Sequence, residues 1–478
     1  MVRSFFVLAA LAASVPAVAA TVNLSQKDVA ELILRQGPAA QEVASKYEQL
    51  YLPYLQEVSL LDWTVTLETG FAKSKSESLS SQGDFTNDQY RTIATVEKSL
   101  ITGTELKLTA SRTSQKTTVV SPNILPQVNE DLIGIELQQA LWGNSFGWGY
   151  RARVRQADYV YQSTVGLRAN ELEDVVLGGL RQFWNTYVSQ ESFRSAMAAR
   201  DRYERLVSAV RRKTSLGYAN PGELSQVQAE FEGQIQSVKR ASTDYLRNLD
   251  TLITSLSLPL GTEVNFSVSR QIPPVPQLSS LPVDDLRAIK AQEFKTKAAD
   301  AALSVAKSNE KPLVNLVARA SSSGVDESSS AAYAEMTSMN KPAYYAGLKF
   351  SYKFGSGVLD ADIRAKKAAL TLEETRLRLA KSQERDKAVD AERRVGAAYA
   401  IAQSAMKQQE FREKAVNELN RTYNQGRTDI RTLIDNMNQL FNAEVASIRA
   451  LGDYQIALNE WAALRDELIP DQPKEENK

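Results

Sequence analysis

Residues 421–444 read RTYNQGRTDIRTLIDNMNQLFNAE, and this stretch decides how the rest of the chain is organised. Helical patterns lie on both sides of Gly426, and glycine readily adopts the left-handed backbone that ends a helix. The stretch therefore predicts the tip of a helical hairpin. A second such tip surrounds Gly217, 209 residues earlier, in the sequence RKTSLGYANPGELSQVQAEF. Leucine and aromatic positions after each tip keep the same offset, so we interpret the chain as a tandem duplication.

Composition excludes several classes of function. The chain has 478 residues, with 57 basic and 57 acidic side chains and neither cysteine nor histidine. The balanced charge gives no reason to expect a nucleic acid as partner. Without cysteine and histidine, disulfides, the usual zinc sites and Ser-His-Asp triads are impossible. We therefore expect no metal and no cofactor, and an enzyme would have to use carboxylates or lysines alone.

The first twenty residues predict a secretory signal peptide. Arg3 precedes an apolar run over residues 5–15, and Ala19 and Ala20 offer a small-residue cleavage site. The run is shorter than the roughly 20 apolar residues that a membrane-spanning helix needs. Because no later stretch is long and apolar enough either, we expect an exported chain whose membrane span consists of strands.

Alternation of apolar and polar residues predicts strands in both halves, with a Ser-rich loop over residues 321–330. The cleanest strand has an apolar stripe formed by Tyr344, Ala346, Leu348, Phe350, Tyr352 and Phe354. Lys349 and Lys353 face the other way. A soluble sandwich is the alternative, but an apolar stripe beside lysines is typical of a barrel strand between lipid and a watery lumen.

Very long helices separate the strands from the tips. Residues 149–216 contain no proline, and a helical period also continues over residues 359–424. At 1.5 Å per residue, such a helix reaches on the order of 100 Å, which is too long for an ordinary compact domain. We accordingly divide the chain into a signal peptide (1–20), a first repeat (21–258), a proline-rich connector (259–282), a second repeat (283–469) and a disordered tail (470–478).

The order of these elements resembles the TolC family of outer-membrane efflux and secretion channels. The residues that carry the resemblance are Tyr423, Gly426, Leu433, Asp435 and Ala443, together with strand-to-helix junctions over residues 137–143 and 350–357. The resemblance covers nearly the whole mature chain. It implies an α+β membrane protein and a homotrimer. The long helical hairpins of three chains would form a periplasmic α-barrel, and their strands would close one shared transmembrane β-barrel.

The resemblance also implies a function and a set of partners. The chain would be a passive exit duct, not an enzyme, in a tripartite efflux or type I secretion system. It would be integral to the outer membrane and in contact with its lipid, with a periplasmic extension. Its partners would be a periplasmic adaptor (membrane fusion) protein and an inner-membrane pump of RND, ABC or MFS type. An exported coiled-coil protein, such as an adhesin or periplasmic spacer, is the alternative, but it would not explain the apolar strands. A carboxylate-based hydrolase lacks a paired-acid constellation.

In the family, the tips form a periplasmic aperture that a tyrosine, an arginine and acidic rings hold closed. The candidate aperture residues here are Tyr423, Arg427, Arg431, Thr432 and Asp435. Tyr423 falls on the family tyrosine and Asp435 on the inner acidic position, whereas Thr428 and Thr432 replace the arginine and the outer acid. We hypothesise that three copies of Asp435 form a ring that favours cations. An ordinary aspartate near a helix N-terminus is the alternative.

The resemblance assigns two further sets of residues. Gly217 and Gly426, at the hairpin tips, would contact the adaptor. Lys349 and Lys353, on the polar side of their strand, would line the barrel lumen. Both assignments are expectations that follow from the family and from the alternation of the strand.

Two features of the first half remain open at the level of sequence. Trp142, Phe146, Trp148 and Tyr150 form either an interfacial girdle or the packing at a strand-to-helix bend. Alternating segments near residues 90–99 and 104–111 exceed the two strands that the family has per repeat. They are either a long hairpin outside the cell or additional barrel strands.

Overall fold

The structure, a computed structural model, describes residues 21–77, 84–118, 126–269, 271–276, 281–355 and 357–469. The predicted signal peptide and the predicted tail lie outside these residues. The chain divides into two compact units. A sheet unit comprises the described residues within Tyr47–Leu167 and Ala288–Ala380, and a hairpin unit comprises those within Met1–Lys46, Arg168–Arg287 and Lys381–Lys478.

The elements have the following bounds in chain order. The strands are β1 (Thr21–Leu24), β2 (Trp63–Glu77), β3 (Asp84–Ser99), β4 (Thr104–Thr118), β5 (Gln127–Trp142), β6 (Glu263–Phe266), β7 (Leu313–Asp326) and β8 (Pro342–Ser351). The α-helices are α1 (Gln26–Gln36), α2 (Pro38–Glu48), α3 (Leu52–Ser59), α4 (Trp148–Ser215), α5 (Glu223–Ser255), α6 (Arg287–Asn309), α7 (Ser329–Thr337), α8 (Gly357–Asn424) and α9 (Ile430–Ala463). None of the described helices carries an apolar stretch long enough to cross a membrane.

Helices α4 and α8 are copies of each other in length and position. Each has 68 residues. They begin 209 residues apart, at Trp148 and Gly357, and they end 209 residues apart, at Ser215 and Asn424. The offset between the two glycine tips in the sequence is thus also the offset between the two longest helices.

The two tips close with the same backbone hydrogen bonds. Gly217 and Gly426 have φ angles of 74° and 75°, in the left-handed region that glycine adopts without strain. After each glycine, the next amide donates back across the turn, from Tyr218 to the carbonyl of Lys213 at 2.9 Å and from Arg427 to that of Thr422 at 3.0 Å. This is the Schellman closure expected at a helix end that reverses the chain.

The sheet unit contains one six-stranded sheet in the order β2-β3-β4-β5-β7-β8, with every neighbouring pair antiparallel. Strands β3 and β4 contain the extra alternating segments of the first half, and they lie between β2 and β5. At one end of the strands, β2, β5, β7 and β8 connect to helices α3, α4, α6 and α8, and we call this end of the sheet the helix end. The opposite end of the strands is called the loop end.

The hairpin unit has a core to which both hairpins contribute. Its buried side chains near the tips come from α4, α5, α8 and α9, and they are Tyr203, Leu206, Val210, Val227, Val416, Tyr423, Ile430, Leu433, Ile434, Met437 and Leu440. Farther from the tip on α8, Ala391, Val395 and Ala402 are buried, so a stripe of small side chains forms a packing seam. Strand β6, inside the predicted connector, pairs in parallel with β1.

Candidate functional site

One face of the sheet is apolar across all six strands. The hydrogen-bonded register places one row of residues side by side on this face, namely Val65, Val96, Leu108, Ile135, Ala320 and Tyr344. Rows on either side contribute Trp63, Leu106, Leu137, Leu67, Ala94 and Ile133. At the two edges of the sheet, Val65 and Tyr344 are 72% and 79% exposed. An apolar surface of this extent marks a contact with lipid or with another apolar surface. We call it the apolar face.

The opposite side of the sheet, which we call the charged face, carries a row of alternating charges. The register places Glu97, Lys107, Glu136 and Arg319 side by side. Lys107 Nζ lies 2.7 Å from Glu97 Oε1, and Arg319 Nε lies 2.8 Å from Glu136 Oε2. These side chains are partly exposed, so the pairs add little to stability. Their significance is that this face is built for contact with water.

The aromatic side chains at the helix end differ in their exposure. Trp142 and Phe146 are exposed. Trp148 is half-buried, with Lys311 Nζ 5.5 Å from its ring centroid. Tyr150 is buried, and its hydroxyl donates to the carbonyl of Glu57 at 3.1 Å. Tyr150 therefore packs at the strand-to-helix bend, whereas Trp142 and Phe146 stay exposed.

At the loop end, helix α7 packs on β7 and β5. An added Cβ at Gly324 would collide with the carbonyl oxygen of Ala332, so the helix lies directly on the strand. Beside it, Arg112 donates twice to the buried carboxylate of Asp131, at 2.7 Å each. Strand β7 runs on to Asp326 and α7 begins at Ser329, where the sequence predicted a Ser-rich loop.

Tyr423 ties the second tip to the first hairpin. Its side chain is 3% exposed, and Lys213 Nζ lies 3.7 Å from its ring centroid. Lys213 also donates to the carbonyl of Tyr423 at 2.8 Å. The phenol oxygen has no hydrogen-bond partner among the described residues. Burial, with the nearby carboxylates of Glu223 and Asp429, raises the pKa of Tyr423 to about 12.

The architecture closely matches solved outer-membrane channels. The open state of the MtrE outer-membrane channel of Neisseria gonorrhoeae superimposes with a TM-score of 0.68 at 14% identity, over 93% of this chain and 89% of that one. The CmeC outer-membrane channel of Campylobacter jejuni gives 0.67 at 12% identity, over 92% and 86%. The outer-membrane protein VceC of Vibrio cholerae gives 0.66 at 12%, over 92% and 96%.

The chain has the TolC-family fold. At the level of sequence, no family model and no curated protein matches it. The resemblance stated above is thus confirmed for the fold, and with it the α+β class that combines long helical hairpins with a sheet. OprN, another structural neighbour, is likewise described as an outer-membrane channel. Within the described residues, no cluster of acidic side chains is arranged to hold a metal ion.

Within this fold, the predicted aperture residues lie in two kinds of environment. Tyr423 belongs to the core, whereas the side chains of Arg427, Arg431, Thr432 and Asp435 are exposed. The last three lie at helical spacing on one side of α9. Of the predicted lumen residues, Lys349 lies on the charged face, since it neighbours Asn315 in the register, and Lys353 follows the end of β8.

Sequence reasoning missed the side chains that join the two hairpins. Both guanidinium Nη atoms of Arg202 donate to the carboxylate of Glu444 at 2.9 Å. One residue along, the Tyr203 hydroxyl donates to Asn438 Oδ1 at 2.8 Å. These partners are more than 200 positions apart. No local pattern pairs them, although polar residues on an otherwise apolar seam are a usable signal.

Proposed function

We propose that the chain is an outer-membrane channel-tunnel, three copies of which form the passive exit duct of a tripartite efflux or type I secretion system. The observation that carries the proposal is the two-faced sheet, apolar on one side and charged on the other, whose helix end leads into 68-residue helices. A coiled-coil spacer has no use for such a sheet. Lipid also requires every backbone group to be paired, so a sheet with open edges must close into a barrel.

Closure with further copies of the same chain fits the strand directions. The edge strands are β2 and β8. Because neighbours alternate in direction across six strands, β8 of one copy beside β2 of the next continues the antiparallel pattern. The apolar face would then meet outer-membrane lipid, and the charged face, with Lys349, would line the lumen. Lys353 would extend this lining beyond the strand.

The hairpin tips would form the periplasmic aperture. In this proposal, Tyr423 holds the second tip against the first hairpin, and Arg427, Arg431, Thr432 and Asp435 surround the opening. The exposure of Asp435 on α9 supports a ring of three carboxylates that favours cations. Such a ring would set the narrowest point of the duct.

The proposal also includes two partners, a periplasmic adaptor and an inner-membrane pump. Gly217 and Gly426 would contact the periplasmic adaptor, and the first tip offers a surface for it. Leu216 and Tyr218, on either side of Gly217, are 68% and 81% exposed. Large apolar side chains at an exposed turn suit a protein partner. An inner-membrane pump of RND, ABC or MFS type would supply the energy, and the signal peptide would direct export of the chain.

Single-channel conductance of the mature, detergent-purified protein in planar bilayers tests this function. We expect a detergent-dependent trimer with discrete openings that prefer cations. Closed tips would prevent any current through the wild type. The Lys213→Met variant, which removes the contacts of Lys213 with Tyr423, is therefore recorded beside it, and channel openings in either protein support the proposal. A monomer that is soluble without detergent and silent in both forms would instead support the coiled-coil alternative.

A further inference from the structure

Strands β3 and β4 make the two halves of the chain unequal. The first half contributes four strands to the sheet, and the second half contributes two. Without β3 and β4, the duplicated halves would supply one hairpin each. The question is whether these two strands belong to the membrane-spanning wall or form a hairpin outside it.

The apolar face continues through β3 and β4 in two rows of the register, and in the row nearest the helix end Lys98 of β3 lies between Trp63 and Leu106, with its Nζ 5.3 Å from the Trp63 ring centroid. Val96 and Leu108 stand in the same row as Val65 on β2 and Ile135 on β5. In the adjoining row, Leu67 and Ile133 flank two alanines, one on each of these strands. A hairpin surrounded by water would have no reason to keep its apolar side chains level with those of its neighbours.

The charged face continues through them as well. Glu97 on β3 pairs with Lys107 on β4, in the same row as the pair between Glu136 and Arg319. Thr95 and Thr109 occupy the next row on this side. Both strands thus have the same two environments, one on each face, as the rest of the sheet.

The turn that joins β3 to β4 lies at the helix end and is fixed there. Arg151, in the first turn of α4, donates to the carbonyl oxygens of Phe146 at 2.7 Å and Ile101 at 3.3 Å. The amide of Ala140, near the end of β5, donates to the carbonyl of Gly103 at 3.2 Å. Each strand therefore crosses the whole sheet, from the loop end to the helix end, as β2 and β5 do.

We propose that β3 and β4 are wall strands, so that three copies of the chain close a barrel of eighteen strands. The inference rests on the proposed trimeric duct and specifies its wall. A second copy would place its β2 beside β8 of the first. The two strands would run antiparallel, and their rows of apolar residues would lie side by side. Because barrel diameter grows about linearly with strand number, the lumen would be roughly 1.5 times as wide as that of a twelve-stranded ring.

Single cysteines test the position of these strands, because the chain contains no cysteine. Val96→Cys and Leu108→Cys sample the apolar face, and Thr95→Cys and Thr109→Cys sample the charged face. Each variant is labelled with a bimane fluorophore and reconstituted in vesicles. Fluorescence is then quenched either by dibrominated phosphatidylcholine or by iodide in the water.

Matched controls are Leu67→Cys and Leu348→Cys on the edge strands and Lys407→Cys on the exposed surface of α8. We expect the first two variants to lose as much fluorescence to brominated lipid as the edge-strand controls. The two threonine positions should be quenched by iodide, like Lys407→Cys.

The outcomes separate the inference from the function on which it rests. If the edge-strand controls are quenched by lipid but Val96→Cys and Leu108→Cys only by iodide, β3 and β4 lie outside the membrane, and the eighteen-stranded wall is wrong while the duct stands. If the controls also fail to sense lipid, the proposed function and this inference fail together. Single-particle images of the trimer in nanodiscs count the strands directly, and a ring of twelve would overturn the inference.

Discussion

The two halves of the chain differ far more in their strands than in their helices. Helices α4 and α8 have the same length, and each is followed by a left-handed glycine. The first half nevertheless places four strands in the sheet, whereas the second places two strands and helix α7. Helices that pack side by side must match in length and in the spacing of the residues that pack together. An antiparallel sheet can accept another hairpin, since each strand needs only a complementary neighbour. The duplication is therefore strict in the helices and permissive in the sheet.

The tips show a second difference, in side chains rather than in backbone. At the 209-residue offset, Tyr423 corresponds to Thr214, and Asp435 corresponds to Gln226. The backbone closes in the same way at both tips, but at this pair of equivalent positions the second tip places a tyrosine in the shared core where the first tip has a threonine. The shape of the turn is thus common to both tips, and the contacts that fix its position differ between them.

The largest expected effect concerns equivalent leucines of the return helices. Leu433 is 0% exposed, whereas its counterpart Leu224 is half-buried. Leu433→Ala should lower the free energy of unfolding by about 2–5 kcal/mol, because it leaves a cavity in the core. Leu224→Ala should cost about 1 kcal/mol, since less apolar area leaves water there. Guanidinium unfolding in detergent, followed by circular dichroism, measures both. Equal losses would contradict the unequal burial of the two halves.

The ion pair between the hairpins should come next. Arg202→Met leaves the mostly buried carboxylate of Glu444 without its bidentate partner. We therefore expect the free energy of unfolding to fall by about 1–3 kcal/mol. At the offset, Glu444 corresponds to Ile235, so the first half has no equivalent of this carboxylate. The double variant Arg202→Met/Glu444→Met is the control and should recover much of the loss. A single variant as stable as the wild type would show that the pair does not join the hairpins.

The tip glycines provide a test of equivalence. Gly217→Ala and Gly426→Ala should each lower the free energy of unfolding by roughly 1–2 kcal/mol, because a Cβ strains the left-handed backbone. An added Cβ has open space at both positions, so backbone strain is the only cost. The same unfolding measurement should give two equal losses. Clearly unequal losses would mean that the tips are not the same turn.

The charge at the second tip should affect ion preference rather than stability. On the proposed function, Asp435→Asn removes a carboxylate ring, and the ratio of cation to anion permeability should fall several-fold. Gln226→Asp, at the matching position of the first tip, should not restore the ratio when combined with Asp435→Asn. Reversal potentials in a salt gradient measure it. An unchanged ratio in Asp435→Asn would leave this residue as an ordinary helix-surface aspartate.

The smallest effect is a pH dependence at Tyr423. Burial raises the pKa of this phenol from 10.0 to about 12, so the folded chain holds its proton more tightly than the unfolded chain does. The resulting stability is fully present below pH 10 and is lost as the pH rises toward 12. Tyr423→Phe removes this loss, so the difference in Tm between variant and wild type should change across that window. A constant difference would show that the phenol is not buried.

The sequence by itself determined the features that depend on neighbouring residues. Gly217 and Gly426 mark the tips because a left-handed residue ends a helix locally. A proline-free stretch and a continuous helical period predict the long helices, and strict alternation around Leu348 predicts a strand with two different faces. The family fold followed from the order of these elements. The outward position of Trp142 was one of two interpretations that the sequence allowed.

The tertiary structure decided what depends on pairing across the chain. Alternation gives a strand two faces but does not choose its neighbour, so only the register shows that β3 and β4 complete one sheet of six. The contact between Lys213 and Tyr423 joins residues 210 positions apart. The placement of α7 on Gly324 likewise depends on the packing of a helix onto a strand. Local periodicity carries no information about such partners, because they meet only when distant segments pack together.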